Sequence, residues 1–81
     1  MIDGTMALAG NFRVNVRKRR QELGLTQKAL ADRMGVSRAY VAQIETEDQN
    51  RSLEVVDDFA KGLQCAAVAL LLNPEEEAAV V

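Results

Sequence analysis

Apolar residues recur along this chain three and four positions apart, the spacing of helices with one buried side, and no run alternates as a strand would. Phe12, Val16 and Leu23, with Arg20 in register, mark the inner side of a first helix that Asn11 caps and Gly24 ends. Thr26 is the candidate N-cap of a second helix, with Leu30, Ala31 and Met34 on its inner face. Ser37 caps a third helix running to about Glu45. Ser52 caps a fourth, in which Leu53, Val56, Phe59, Ala60 and Leu63 keep helical spacing. Gln64 and Cys65 lead into a short fifth helix, AAVALLL, which Asn73-Pro74 stops. The pattern predicts an all-α fold of five helices in one domain over 11–73. Residues 1–10 lack periodicity and read as a flexible arm, with Ala7–Ala9 alone suited to a helix. Residues 74–81 read as a frayed acidic tail.

The stretch TQKALADRMGVSRAYVAQIE, Thr26 to Glu45, is the most specific part of the chain. Small Ala31, then Gly35 four positions on, then Val41 and Ile44 fit two helices joined steeply by a three- or four-residue turn. Ala31 lets the second helix of the pair approach, and Gly35 supplies a left-handed backbone for the turn. Val36, Val41 and Ile44 fasten that helix to a core. A tight pair of this kind leaves one face of its second helix uncovered, and such a face fits the major groove of DNA.

Charge sharpens this picture. The net charge of −2 hides a segregation. Residues 1–40 carry eight basic side chains against three acids, a net +5, and residues 41–81 carry two against nine, a net −7. A basic pole suits a polyanionic partner, although a solvated basic helix face accounts for the same charges. Eighty-one residues suffice for one small core. No apolar run approaches a membrane span of about 20 residues, and no basic segment precedes an apolar one as in a secretory signal. Cys65 is alone, which excludes an internal disulfide framework and agrees with a reducing cytoplasm. There is no histidine, no Cys/His metal cluster and no glycine-rich phosphate loop, so no enzyme, cofactor, metal or small-molecule ligand is expected. Asp57 and Asp58 are consecutive and point to different faces of a solvated helix.

From Phe12 to Leu71 the chain resembles the lambda-repressor-like (Cro and phage-repressor, Xre-type) helix-turn-helix family. The resemblance rests on Gly24-Leu25-Thr26-Gln27, on the Ala31/Gly35/Val41 turn, on Ile44-Glu45 and on Ser52-Leu53. Its length and the Ser37-Arg38-Ala39-Tyr40 start of helix 3 are most similar to small restriction-modification controller proteins, with phage repressors almost as close. This implies a sequence-specific DNA-binding transcription regulator in a bacterial or phage-derived cytoplasm, associated with the nucleoid.

At about 100° per residue, Val41, Ile44 and Ser37 share the inner side of helix 3. Ala39, Ala42, Gln43 and Thr46 lie opposite, with Arg38 at the N-terminal flank. The resemblance makes Arg38, Ala39, Ala42 and Gln43 the base-reading set: Arg38 for guanine, Gln43 for adenine, an alanine against a thymine methyl. Arg38 on phosphate alone, or Gln43 merely solvated, is the alternative. Gln27 at the first turn of helix 2 is by resemblance a phosphate clamp. Arg17, Lys28, Ser37, Gln49 and Asn50 extend the backbone contacts, and Tyr40 either bridges to the sugar-phosphate or packs at the core edge. Arg20 falls on the inner register of helix 1 and Glu45 at the end of helix 3. In relatives these positions form a partly buried ion pair that fixes the angle of helix 3.

Two departures stand out. Glu47-Asp48 occupies a loop where the family often has glycine and basic residues, and Gln64 and Ala66 replace a glycine and a capping serine. The fifth helix shows no polar face, so Val68, Leu71 and Leu72 are the expected interface of a homodimer reading a pseudo-palindromic operator, with extra burial within the monomer as the alternative. The competing functional class is a protein-binding use of the same fold, an antitoxin or adaptor, favoured by Glu47-Asp48.

Overall fold

The structure, a computed structural model, describes residues 4–73, with the side chains of 11–73. Four α-helices follow in order: α1 (Gly4–Glu22), α2 (Gln27–Met34), α3 (Arg38–Thr46) and α4 (Leu53–Gly62). A single 3-10 turn, Ala67–Leu70, comes last. The described residues contain no strand.

Three caps start helices where the sequence placed them. Thr26 Oγ1 accepts from the Ala29 N–H at 3.0 Å, Ser37 Oγ from Tyr40 at 3.1 Å and Ser52 Oγ from Val55 at 3.2 Å. Each contributes about 1 kcal/mol to its helix. The turn between α2 and α3 depends on Gly35, which sits at φ 71° and ψ 31°. A Cβ there would meet nothing within 4 Å, so it is the left-handed backbone alone that calls for glycine.

The core takes Phe12 and Val16 from α1, Leu30 and Ala31 from α2, Val41 and Ile44 from α3, and Val56, Phe59 and Ala60 from α4. Leu63 and Leu70 close it. Phe59 is its hub: Phe12 meets it edge-on at 5.8 Å and Tyr40 tilts onto it at 5.9 Å. Gly62 ends α4 against α2, where a Cβ would fall 2.6 Å from Met34 Cγ, so glycine sets how closely the two helices approach.

Several expectations need correction. The first helix begins at Gly4 rather than at an Asn11 cap, so residues 4–10 belong to its backbone. Met6, Ala7, Leu8 and Ala9 are strong helix formers, and one interior glycine costs only about 1 kcal/mol. The fifth helix is reduced to the four-residue 3-10 turn. Gln64 lies in the left-handed region (φ 56°) and Ala66 is extended. The carbonyls at the end of this segment accept from side chains of α1. Asn11 Nδ2 donates to the Leu71 carbonyl at 3.3 Å, and Asn15 Nδ2 to those of Leu70 (3.1 Å) and Leu72 (2.6 Å). Leu53 is 79% exposed, because the first turn of α4 projects beyond the core. Ser37 is exposed rather than inward, its hydroxyl being committed to the cap. The tail at 74–81 lies outside the described residues.

Candidate nucleic-acid interface

Helix α3 is fastened by one side. Val41, Ile44 and Glu45 are buried, while Arg38, Ala39, Gln43 and Thr46 are exposed and Ala42 is half-exposed. The four candidate base readers therefore share a continuous outward strip. Arg38, in the first turn, makes no hydrogen bond or ion pair within the described residues, so its guanidinium is free for an external acceptor.

Behind this strip lies a charged anchor. Arg20 Nε donates to Glu45 Oε2 at 2.6 Å and Nη2 to Oε1 at 2.9 Å, a bidentate pair. Arg20 is 9% exposed and Glu45 4%. Arg20 Nη1 also donates to the Leu25 carbonyl at 2.8 Å, tying the α1–α2 connection to the same group. The hydrogen bond to Glu45 raises the Arg20 pKa above the ordinary arginine value; burial opposes this and the charge of Glu45 adds to it. Gln27 joins the anchor, its Nε2 donating to Glu45 Oε1 at 3.3 Å. One side chain at the start of α2 thus touches the group that holds α3.

The other candidate phosphate contacts are distributed. Arg17 is exposed on α1 without a partner among the described residues. Lys28 is exposed and pairs with Asp32 at 2.9 Å. Ser37 keeps its hydroxyl proton available, since the cap uses only the oxygen as acceptor. Tyr40 is half-buried with its ring on Phe59, the core-edge packing that was one of its two sequence readings. Gln49 and Asn50 are exposed in the loop after α3.

Glu47 and Asp48 do not stand as bare acids. Arg13 Nε meets Asp48 Oδ1 at 2.7 Å. Glu47 Oε2 accepts from Gln43 Nε2 at 3.2 Å and from Gln49 Nε2 at 2.9 Å, with Arg51 Nη2 at 3.7 Å. Arg13, Arg51 and this cluster escaped sequence reasoning, because a charge count does not say which charges meet. Asn15 also escaped, although a polar residue between Phe12 and Val16 on the apolar side of α1 signals a buried hydrogen bond. Arg19, likewise unassigned, donates to the Leu63 and Gln64 carbonyls at 3.1 and 3.3 Å and closes the end of α4.

In the candidate association face, Val68 is 61% exposed and Leu72 44%, whereas Leu71 is half-buried against the core. Among the described residues no group of His, Cys, Asp or Glu is arranged to hold a metal ion, and no helix is long and apolar enough to cross a membrane.

Comparison with known proteins agrees with this geometry. A helix-turn-helix family model (HTH_3) matches residues 16–70. A hypothetical transcription factor of Neisseria meningitidis serogroup B is 37% identical over 62 residues, 76% of this chain. The chain spans 58% of that relative's length. The crystal structure of the hypothetical transcription factor NHTF from Neisseria superposes with a TM-score of 0.82 at 32% identity, covering 91% of this chain and 85% of that one. The restriction-modification controller protein C.AhdI from Aeromonas hydrophila gives 0.68 at 31% identity, over 76% and 94% of the two chains. With turn, caps and matched span in agreement, this chain belongs to the HTH_3 helix-turn-helix family, the Cro/C1-type, Xre-like group.

Proposed function

We propose that this protein is a sequence-specific DNA-binding transcription regulator of the cytoplasm, without catalytic activity, that inserts α3 into the major groove. One observation carries the reading. Arg38, Ala39, Ala42 and Gln43 form an outward strip on a helix whose opposite side is locked into the core by Val41, Ile44 and the Arg20–Glu45 pair. A rigid helix with an uncommitted arginine at its start has the form that reads base edges. Backbone phosphates are held by Gln27, Arg17, Lys28, Ser37, Gln49 and Asn50, with the Tyr40 hydroxyl at the margin.

The protein works as a homodimer. Val68 and Leu72 expose apolar surface at a short turn that the described residues leave uncovered, and a two-fold interface covers it with the same surface. Two recognition helices then meet half-sites about 34–36 Å apart in a pseudo-palindromic operator. The antitoxin or adaptor alternative drew its support from Glu47-Asp48, and the pairing of both acids with arginines removes that support.

The test is selection of bound fragments from a random duplex library, followed by titration at increasing salt. The expected result is a symmetric motif with affinity that falls steeply with ionic strength. Binding that ignores both sequence and salt defeats the proposal.

A further inference from the structure

Resting on that reading of α3, we propose that Glu47 is a specificity-determining positioning residue, which fixes the direction of the Gln43 amide and so makes it select adenine over guanine.

Glu47 caps the C-terminus of α3, one turn beyond Gln43, with φ −101° and ψ 127°. It holds Gln43 twice: its N–H donates to the Gln43 carbonyl at 3.0 Å, and its Oε2 accepts from Gln43 Nε2 at 3.2 Å. The carboxylate is itself held. Gln49 Nε2 donates to the same oxygen at 2.9 Å, and Arg51, whose side chain is 14% exposed, brings Nη2 to 3.7 Å. Two amide donors and one guanidinium charge thus gather around one oxygen of a side chain that is otherwise 41% exposed.

An ionised carboxylate only accepts hydrogen bonds. It therefore fixes the polarity of the Gln43 amide, because the reversed amide would set its carbonyl oxygen against a negative oxygen. Gln43 is left with Oε1 and one N–H to offer. Adenine presents a donor at N6 and an acceptor at N7 in the major groove, and matches both. Guanine presents two acceptors, O6 and N7, so one of them would face Oε1. An unanchored glutamine turns end for end and gives both N–H groups to guanine. Glu47 prevents that turn.

A second effect of Glu47 has a different signature. Its negative charge opposes phosphate at every site alike, so removing it raises affinity for all sequences without changing base preference. The experiment separates the two. Wild type, Glu47→Gln, Glu47→Ala, Gln43→Ala and Asp48→Asn are each used to select from a random duplex library. The position whose preference disappears in Gln43→Ala is then tested with adenine and guanine duplexes in direct competition. Wild type is expected to favour adenine by about tenfold or more, and both Glu47 variants by less than about threefold. Asp48→Asn, which removes the adjacent charge paired with Arg13 and leaves the anchor, retains the wild-type ratio. Higher affinity of Glu47→Gln for both duplexes with an unchanged ratio overturns the proposal and leaves Glu47 as an electrostatic brake. Equal relaxation by Asp48→Asn overturns it too, since the charge or shape of the loop would then set the preference. A selected motif that Gln43→Ala does not alter refutes the role of Gln43 while DNA binding stands. No motif for wild type defeats the DNA-binding reading itself, and this inference with it.

Discussion

Glu45→Gln is the sharpest perturbation of the scaffold, because it removes a charge and almost no volume. Arg20 is left 9% exposed with its counter-charge gone. Breaking one side of a buried ion pair costs about 3–5 kcal/mol. The glutamine retains one acceptor, and the Arg20 bond to the Leu25 carbonyl at 2.8 Å survives, which places the loss near the lower end, about 3 kcal/mol. A chain of 81 residues has a total stability of about 4–12 kcal/mol, so the variant is severely weakened. Thermal unfolding followed by circular dichroism is expected to show a midpoint lower by roughly 12–24 °C. The double variant Arg20→Met, Glu45→Leu recovers part of this, since apolar replacement of both members removes the uncompensated charge. Recovery stays incomplete because the Leu25 carbonyl and the Gln27 amide lose their partners. The Arg20 pKa is raised, first by its hydrogen bond to Glu45, so the stabilisation is complete below the unfolded arginine value and fades only as pH rises through the higher folded one. Deprotonation of Arg20 therefore contributes no change in stability from about pH 7 to about pH 10. A loss below about 1 kcal/mol for the single variant would refute the anchor.

Other outcomes follow from the same geometry. Arg38→Ala should cost about 1–3 kcal/mol at the selected operator and relax preference at one base pair, measured by competition binding; equal weakening on every sequence makes Arg38 a phosphate contact. Gln27→Ala should weaken all duplexes alike and leave the salt slope unchanged, because the amide carries no charge, and a changed base preference contradicts the clamp role. Gly35→Ala should destabilise by about 1–2 kcal/mol in urea titrations, the cost of a left-handed alanine where no atom obstructs its Cβ. An unchanged midpoint shows that the turn relaxes. Val68→Asp should shift sedimentation towards monomer and remove the concentration dependence of the unfolding midpoint, Val68 being 61% exposed; an unaltered association constant dismisses this face as the interface.

The caps and the turn were readable because each rests on local chemistry. A hydroxyl three residues before a free N–H, or a glycine at a left-handed position, needs no knowledge of the remote chain. The inner face of α3 was readable at Val41 and Ile44 for a similar reason, and missed at Ser37, where capping takes precedence over helical phase. What escaped was long-range. The clamp of Asn11 and Asn15 on carbonyls near residue 71 joins positions at least 55 apart, and nothing in either local pattern specifies the other. The fifth helix is short because Ala66 provides no capping side chain and Pro74 has no N–H to give the Leu70 carbonyl. The partner of Asp48 was not legible because Arg13 lies 35 residues before it and meets it only in the fold.

Helix α1 grips α3 through Arg20 and the C-terminal turn through Asn15, side chains five residues apart on one rod. In the proposed dimer, the separation between α3 and the Val68–Leu72 surface would thereby be held by one helix and its side-chain hydrogen bonds rather than by a hinge. Such an arrangement would act as a caliper: operators whose half-sites differ by a single inserted base pair should be rejected, because among the described residues both elements are tied to the same rod.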